Sequence, residues 1–344
     1  MGKRALASAL APEQRAIMSV AAALVLTLAL VGPSTGRAQA QASAQKYPTK
    51  LIRLIIPAVA GGLTDVLARS IAEELQRALG QTVLVENRPG AGGNIGTDFV
   101  AKAEPDGHTL LLGTAGMLVI NEFIYSKMPF DPATAFAPIT LVADMPLILT
   151  MHPKTGIGSV AALLEAARRP DAKLSFGLSQ PGGANHLALL LFERVTGVKV
   201  AHVPYRGAAP AAQDLLAGQI DGAFINPPAV MANVETGALK VIAVVADKRM
   251  KLLPEVPTLA EAGVQGVFTS TWYGMAAPAK TPPEIVDRIH AETVKALRKP
   301  ELIDRFAKQG ADLIGNSQAE FDAFIKQERA KWGPVARGLN LRMD

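Results

Sequence analysis

The stretch 54–65, Leu-Ile-Ile-Pro-Ala-Val-Ala-Gly-Gly-Leu-Thr-Asp, restricts what this chain can fold into more than any other. Its aliphatic first half suits a short, fully buried strand, Gly61 and Gly62 turn the chain, and Thr64 and Asp65 suit the start of a helix. Glycines at such a corner let the backbone approach a bound group closely. The free N–H groups and the positive dipole end of the helix favour an anion such as a carboxylate. The same spacing also makes an ordinary tight strand-to-helix connection, so the stretch alone leaves both readings open. As a ligand seat, Gly62 would tolerate a β-branched replacement poorly, through the lost approach and through a backbone conformation that valine resists.

The pattern recurs along the chain. Residues 66–79 read as a helix with Leu67, Ile71 and Leu75 on one face and Gly80 as its stop. A strand at 82–86 leads to the glycine-rich loop 87–94 and a helix near 97–103, and a strand at 109–112 opens into Gly113-Thr114-Ala115-Gly116. Two apolar runs within 139–151 are separated by Asp144, a helix follows at 160–168, and a strand at 173–176 gives way to a second glycine-rich corner ending in Asn185 and His186. A helix then runs to about Thr196, with strands at 198–203 and 220–225 flanking a helix between Pro210 and Gly218. Strands at 239–245 and 271–277 precede three amphipathic helices at 283–297, 300–309 and 318–335. Alternation of this kind predicts an α/β fold with parallel strands.

Size and charge narrow the function. The 344 residues, 49% hydrophobic and 19% charged, can bury a substantial core and suggest two domains. Of the formal +5, residues 1–40 hold Lys3, Arg4, Arg15 and Arg37 against Glu13, a net +3 that leaves only +2 for the rest. No basic surface argues for nucleic acid. Lys3, Arg4 and Arg15 precede an apolar run at 16–32, Pro33, Ser34 and Gly36 break it, and Ala38-Gln39-Ala40 has the small-x-small form of a cleavage site. The sequence thus predicts a secretory signal peptide at 1–40, cleaved near Ala40, rather than a membrane anchor. Cysteine is absent, which excludes disulfides, thiolate chemistry and a lipid acceptor at the mature start. The expected location is the periplasm of a Gram-negative cell.

Several motifs together carry a family resemblance. Pro57-x-x-x-Gly61-Gly62-x-Thr64-Asp65, then Val85 to Gly96, then Ala103-x-Pro105-Asp106-Gly107-His108-Thr109-Leu110, then His202-Val203-Pro204-Tyr205-Arg206-Gly207, and Leu253-Pro254-x-Val256-Pro257-Thr258 with Glu261-Ala262-Gly263 stand in order. In that order and spacing the chain resembles the Bug family, the extracytoplasmic solute receptors of tripartite tricarboxylate transporters, over nearly all of residues 47–342. The resemblance implies a type II periplasmic-binding-protein fold, two α/β lobes with a solute cleft between them. It implies crossovers near Asp144 and Gly266, so that 46–144 with 266–344 make domain 1 and 145–265 domain 2. It also implies a carboxylate solute held by main-chain N–H groups, hydroxyls and water, and delivery to the integral membrane subunits of a transporter. No cofactor is expected, and the receptor is expected to act as a monomer. Ala58 and Ala60 stand where the family usually has Phe and often Pro, and Leu63 replaces a small or hydroxylated residue, departures that bear on the solute more than on the fold.

Strand ends in open α/β sheets point ligands toward these corners. The candidate solute-binding residues are Ala60, Gly61, Gly62, Thr64, Asp65, Thr114, Ala115, Ser179, Gly182, Gly183, Ala184, Asn185 and Asn226. Asp65 equally suits a role in its own helix's first turn, where a carboxylate meets the dipole and free N–H groups. Tyr205 and Arg206 either flank the cleft or form a surface turn. Trp272 and Tyr273 are either core or cleft wall. The histidines at 108, 152, 186, 202 and 290 are scattered with no metal-ligand spacing, so no metal is expected. An enzyme is the rival class, but no Gly-x-Ser-x-Gly elbow, phosphate loop or carboxylate-rich cluster is present. A receptor presenting its solute to a membrane sensor is a third reading that the sequence does not separate from transport.

Overall fold

In the computed structural model, residues 47–179, 183–205 and 207–338 are described, and the body that carries the site begins at Pro48. The proposed leader at 1–40, Gly182 and Arg206 lie outside the described residues. In chain order, β1 (Ile52–Ile56), α1 (Leu63–Leu79), β2 (Val83–Asn87), α2 (Asn94–Ala101) and β3 (Thr109–Thr114) lead through a π-helical turn (Gly116–Ile120) to α3 (Asn121–Ile124). Then come β4 (Phe136–Met151), α4 (Val160–Ala167), β5 (Ser175–Leu178), α5 (Ala184–Thr196), β6 (Ala201–Pro204), α6 (Ala208–Leu216), β7 (Gly222–Ile225), α7 (Met231–Glu235) and β8 (Lys240–Val245). β9 (Ser270–Pro278), α8 (Pro283–Leu297), α9 (Pro300–Ala307), β10 (Asp312–Leu313) and α10 (Gln318–Gly338) complete it.

Two α/β lobes share one long strand. In the first, β2, β1, β3, β9 and the leading part of β4 lie side by side, with β10 on the other edge of β4. In the second, the end of β4 lies between β8 and β7, and β5 and β6 follow β7. β4 pairs with β9 from Phe136 to Pro146 and with β8 from Leu147 onward, so it changes sheet between Pro146 and Leu147. The two apolar runs flanking Asp144 are therefore one continuous strand. All-parallel pairing does not hold either. β1 is parallel to β2 and β3, and β5 to β6 and β7, but β3–β9 and every pairing of β4 are antiparallel. The reason is topological: β9 returns the chain to the first lobe between β3 and β4 and runs against both, whereas β4, which runs with β1–β3 there, runs against β7 and β8 in the second lobe.

Local chemistry sets the elements. Leu67, Ile71 and Leu75 are buried along α1, and Gly80, at φ +68°, closes it in the left-handed conformation with its N–H on the Gln76 carbonyl. The helix starts at Leu63, three residues before the periodicity placed it, because Gly62 is already extended at φ −77° and so serves as N-cap. Trp272 on β9 is fully buried, edge-on to Phe321 and Phe324 of α10. Its indole N–H donates to Glu328, which also accepts from the Trp332 indole, at 3.1 and 2.9 Å. One carboxylate thus satisfies two buried donors and ties α10 to the sheet.

Candidate functional site

Four helices begin at the cleft, and each begins at a glycine. Gly62, Gly93, Gly183 and Gly207 are the N-caps of α1, α2, α5 and α6, and none carries a side-chain cap. By contrast Ser159 caps α4 in the usual way, its hydroxyl accepting from the Ala162 N–H. A helix start without a side-chain oxygen leaves its first N–H groups for water or a ligand. Gly93, Gly183 and Gly207 line one cavity of about 690 Å³, and Gly62 lines an adjoining one.

The first corner is braced from behind. Gly61 takes φ +86°, and its N–H donates to Asp65 Oδ2 at 3.1 Å. Asp65 also pairs with Arg69 at 2.9 Å, and Arg69 with the Gly61 N–H holds its carboxyl below the usual range. Asp65 lines neither cavity; it locks the loop that presents Thr64, whose side chain meets the Tyr273 hydroxyl. Asn87 Nδ2 donates to the Ala58 carbonyl, binding this corner to the next. There Gly90, Ala91, Gly92 and Gly93 all have positive φ, from +48° at Ala91 to +124° at Gly90. Successive left-handed residues of this kind turn N–H groups toward one concavity. Asn121 holds the loop in place, its amide donating to the Gly92 carbonyl and to Asn94 Oδ1 at 3.2 and 2.7 Å.

The second lobe contributes the facing wall. Ser179 directly follows β5, and Asn185, in the first turn of α5, donates to the Phe224 carbonyl at 2.9 Å, which fastens the helix start to β7. Asn226, at the end of β7, donates to Thr271 Oγ1 on β9 at 3.0 Å, a bond that crosses from one lobe to the other. Tyr205 donates to Asp214 at 2.7 Å, and burial together with that carboxylate pushes its hydroxyl up to about 12. Tyr273 is raised further by burial and by Asp144, so both phenols stay protonated as neutral donors. Among the described lining residues, neither cavity carries an Asp, Glu, Lys, Arg or His side chain.

Of the residues singled out in the sequence, Thr64, Thr114, Ala115, Ser179, Gly183, Ala184, Asn185 and Asn226 line the first cavity together. Gly61 and Gly62 line the adjoining one instead, and Ala60 is exposed and lines neither. At φ −77° Gly62 has an ordinary backbone that valine also adopts, which removes the conformational half of the expectation made for it. Trp272 is core and Tyr273 is cleft wall, on opposite faces of one strand. Sequence reasoning passed over Gly90, Gly92, Gly93, Met117 and Thr271, all of which line the cavity. The glycine run before a helix was the available signal for three of them.

Comparison with known proteins agrees with this geometry. Residues 67–341 match the family described as "Tripartite tricarboxylate transporter family receptor". Protein BugT of Bordetella pertussis is 36% identical over 319 residues, 92% of this chain and 98% of that one. The structure of Rpa4515 of R. palustris with adipate is 36% identical, with a TM-score of 0.78 over 85% of this chain and 97% of that one. MatC of Rhodopseudomonas palustris with bound malate is 28% identical, with a TM-score of 0.75 over 84% and 100%. A two-lobed α/β body with glycine-started helices converging on its cleft, matched over four-fifths of its length to one family, places this chain among the Bug-type receptors of tripartite tricarboxylate transporters.

Proposed function

We propose that this receptor binds a small carboxylate-bearing solute in the interlobe cleft and delivers it to the integral membrane subunits of a tripartite tricarboxylate-type transporter. The observation that carries the reading is the set of uncapped, glycine-started helix N-termini at the cleft. Three of them share a cavity whose described walls hold hydroxyls, amides and main-chain N–H groups but no formal charge. Such donors offset the lost hydration of a carboxylate without a buried counter-ion. Relatives holding adipate and malate support the same chemistry. In this reading the seat comprises Thr64, Thr114, Ala115, Ser179, Gly183, Ala184, Asn185 and Asn226, with the Gly90–Gly93 loop added. Gly182 belongs to the same corner by sequence.

The lobes are assigned as 46–144 with 266–344 and 145–265, a division supported by the change of sheet at Pro146–Leu147. The described lining residues hold no charged or histidine side chain, which supports a role in reception rather than turnover. Export follows from the leader at 1–40 with cleavage near Ala40; among the described residues no helix is long and apolar enough to cross a membrane. The test is a thermal-shift screen of the mature protein against organic acids and neutral compounds. A solute at about a hundred times its dissociation constant stabilises by roughly 2.7 kcal/mol. Shifts produced only by neutral compounds would overturn the carboxylate assignment.

A further inference from the structure

The cleft has a second chamber that the carboxylate seat does not use. A cavity of about 730 Å³ adjoins the first and shares with it Val59, Gly207, Ala208, Asn226 and Tyr273. Its own walls come from both lobes: Leu63 from the first, Met145 from β4, and Pro210, Leu216 and Ala229 from the second. The polar side chains there, Gln213, Asn226, Asn233 and Tyr273, are uncharged. Among the large hydrophobic residues left exposed by the fold, Val59 at 69% and Leu216 at 39% both border this chamber. Exposed apolar side chains facing one another across a cleft are unsatisfied by folding and gain from an apolar occupant.

We infer that the solute is a carboxylate with an extended apolar body, its carboxylate in the first chamber and its apolar chain in the second, past Val59 and Ala208, which line both. This rests on the carboxylate reading above and adds the class of molecule. Chain length therefore raises affinity, because each added methylene leaves water for the wall formed by Leu63, Leu216 and Ala229. One fully buried methylene is worth about 0.8 kcal/mol, roughly fourfold in affinity.

The test is calorimetric titration of the mature protein with butyrate and octanoate, repeated on the Leu63→Gln/Leu216→Gln double variant. Octanoate should bind the wild type at least about tenfold tighter than butyrate. In the double variant the octanoate advantage should shrink by at least about fivefold, with butyrate binding as before and a melting curve confirming the fold. If butyrate binds and octanoate gains less than tenfold, the second-chamber assignment is overturned while the carboxylate seat stands. If neither acid binds, both readings fall. The wild-type series decides the matter even if the double variant does not fold.

Discussion

Asp144 gives the protein an acid-dependent stability whose size follows from its surroundings. It lies on β4 just before the change of sheet, opposite Trp272 on one side and Asp312 on the other. Its Oδ1 is buried with no hydrogen-bond partner among the described residues. Burial pushes the carboxyl from 3.8 up to about 6, Asp312 and Glu328 add to the rise, and the Ser270 hydrogen bond and Lys331 oppose it. That rise is worth about 3 kcal/mol between the two protonation states. The folded state holds this proton more tightly than the unfolded chain does. Below about pH 3.8 both states are protonated and there is no penalty; between 3.8 and 6 stability falls as pH rises, and above 6 the whole penalty is present. Asp144→Asn removes the charge while keeping the shape. It should match the wild type near pH 4 and exceed it by about 2–3 kcal/mol at pH 8, roughly 5 °C in a chain of this size. Urea unfolding of both proteins at each pH unit from 4 to 8 measures the difference directly. A difference that does not change with pH would refute the burial argument, and so would a variant less stable than wild type at pH 8.

Three further outcomes are expected. Gly62→Val meets open space at an ordinary φ, so stability should drop by no more than about 1 kcal/mol, while affinity for the solute, read by titration, falls at least about tenfold because the side chain enters the second chamber. Glu328→Leu strips the acceptor from two buried indole N–H groups and should cost about 2–4 kcal/mol in urea melts, with Glu328→Gln losing clearly less. Gly274→Ala drives a methyl into the Phe321 ring and should cost about 1–3 kcal/mol, and combining it with Phe321→Leu should restore much of the loss in the same melts.

How much of this was legible in the sequence depends on whether a backbone or a side chain does the work. Gly80 and Gly197, which end helices in the left-handed conformation, were readable because no other residue suits that position so well. The corners at 61–65, 113–116 and 183–185 were readable for a related reason: glycine before a helical pattern marks a start that no side chain caps. What alternation could not give is the facing of a strand buried on both sides. In β9 Thr271, Trp272 and Tyr273 are all compatible with either face, and only the packing of α10 against Trp272 turns Thr271 and Tyr273 to the cleft. The direction of β4 was hidden for the same cause, since antiparallel pairing is set by a partner, β9, more than a hundred residues away. Arginine or histidine in a site announces itself, but a seat made of main-chain N–H groups is written only as what is missing. Here the missing features are the Ser, Thr, Asp or Asn expected at N-caps, replaced by glycine at residues 62, 93, 183 and 207. Glycine at the N-cap costs the free protein only about a few tenths of a kcal/mol against those residues. Four glycine starts at one cleft therefore keep donors open at little expense in stability, and they fit a surface whose ligand supplies the missing oxygens.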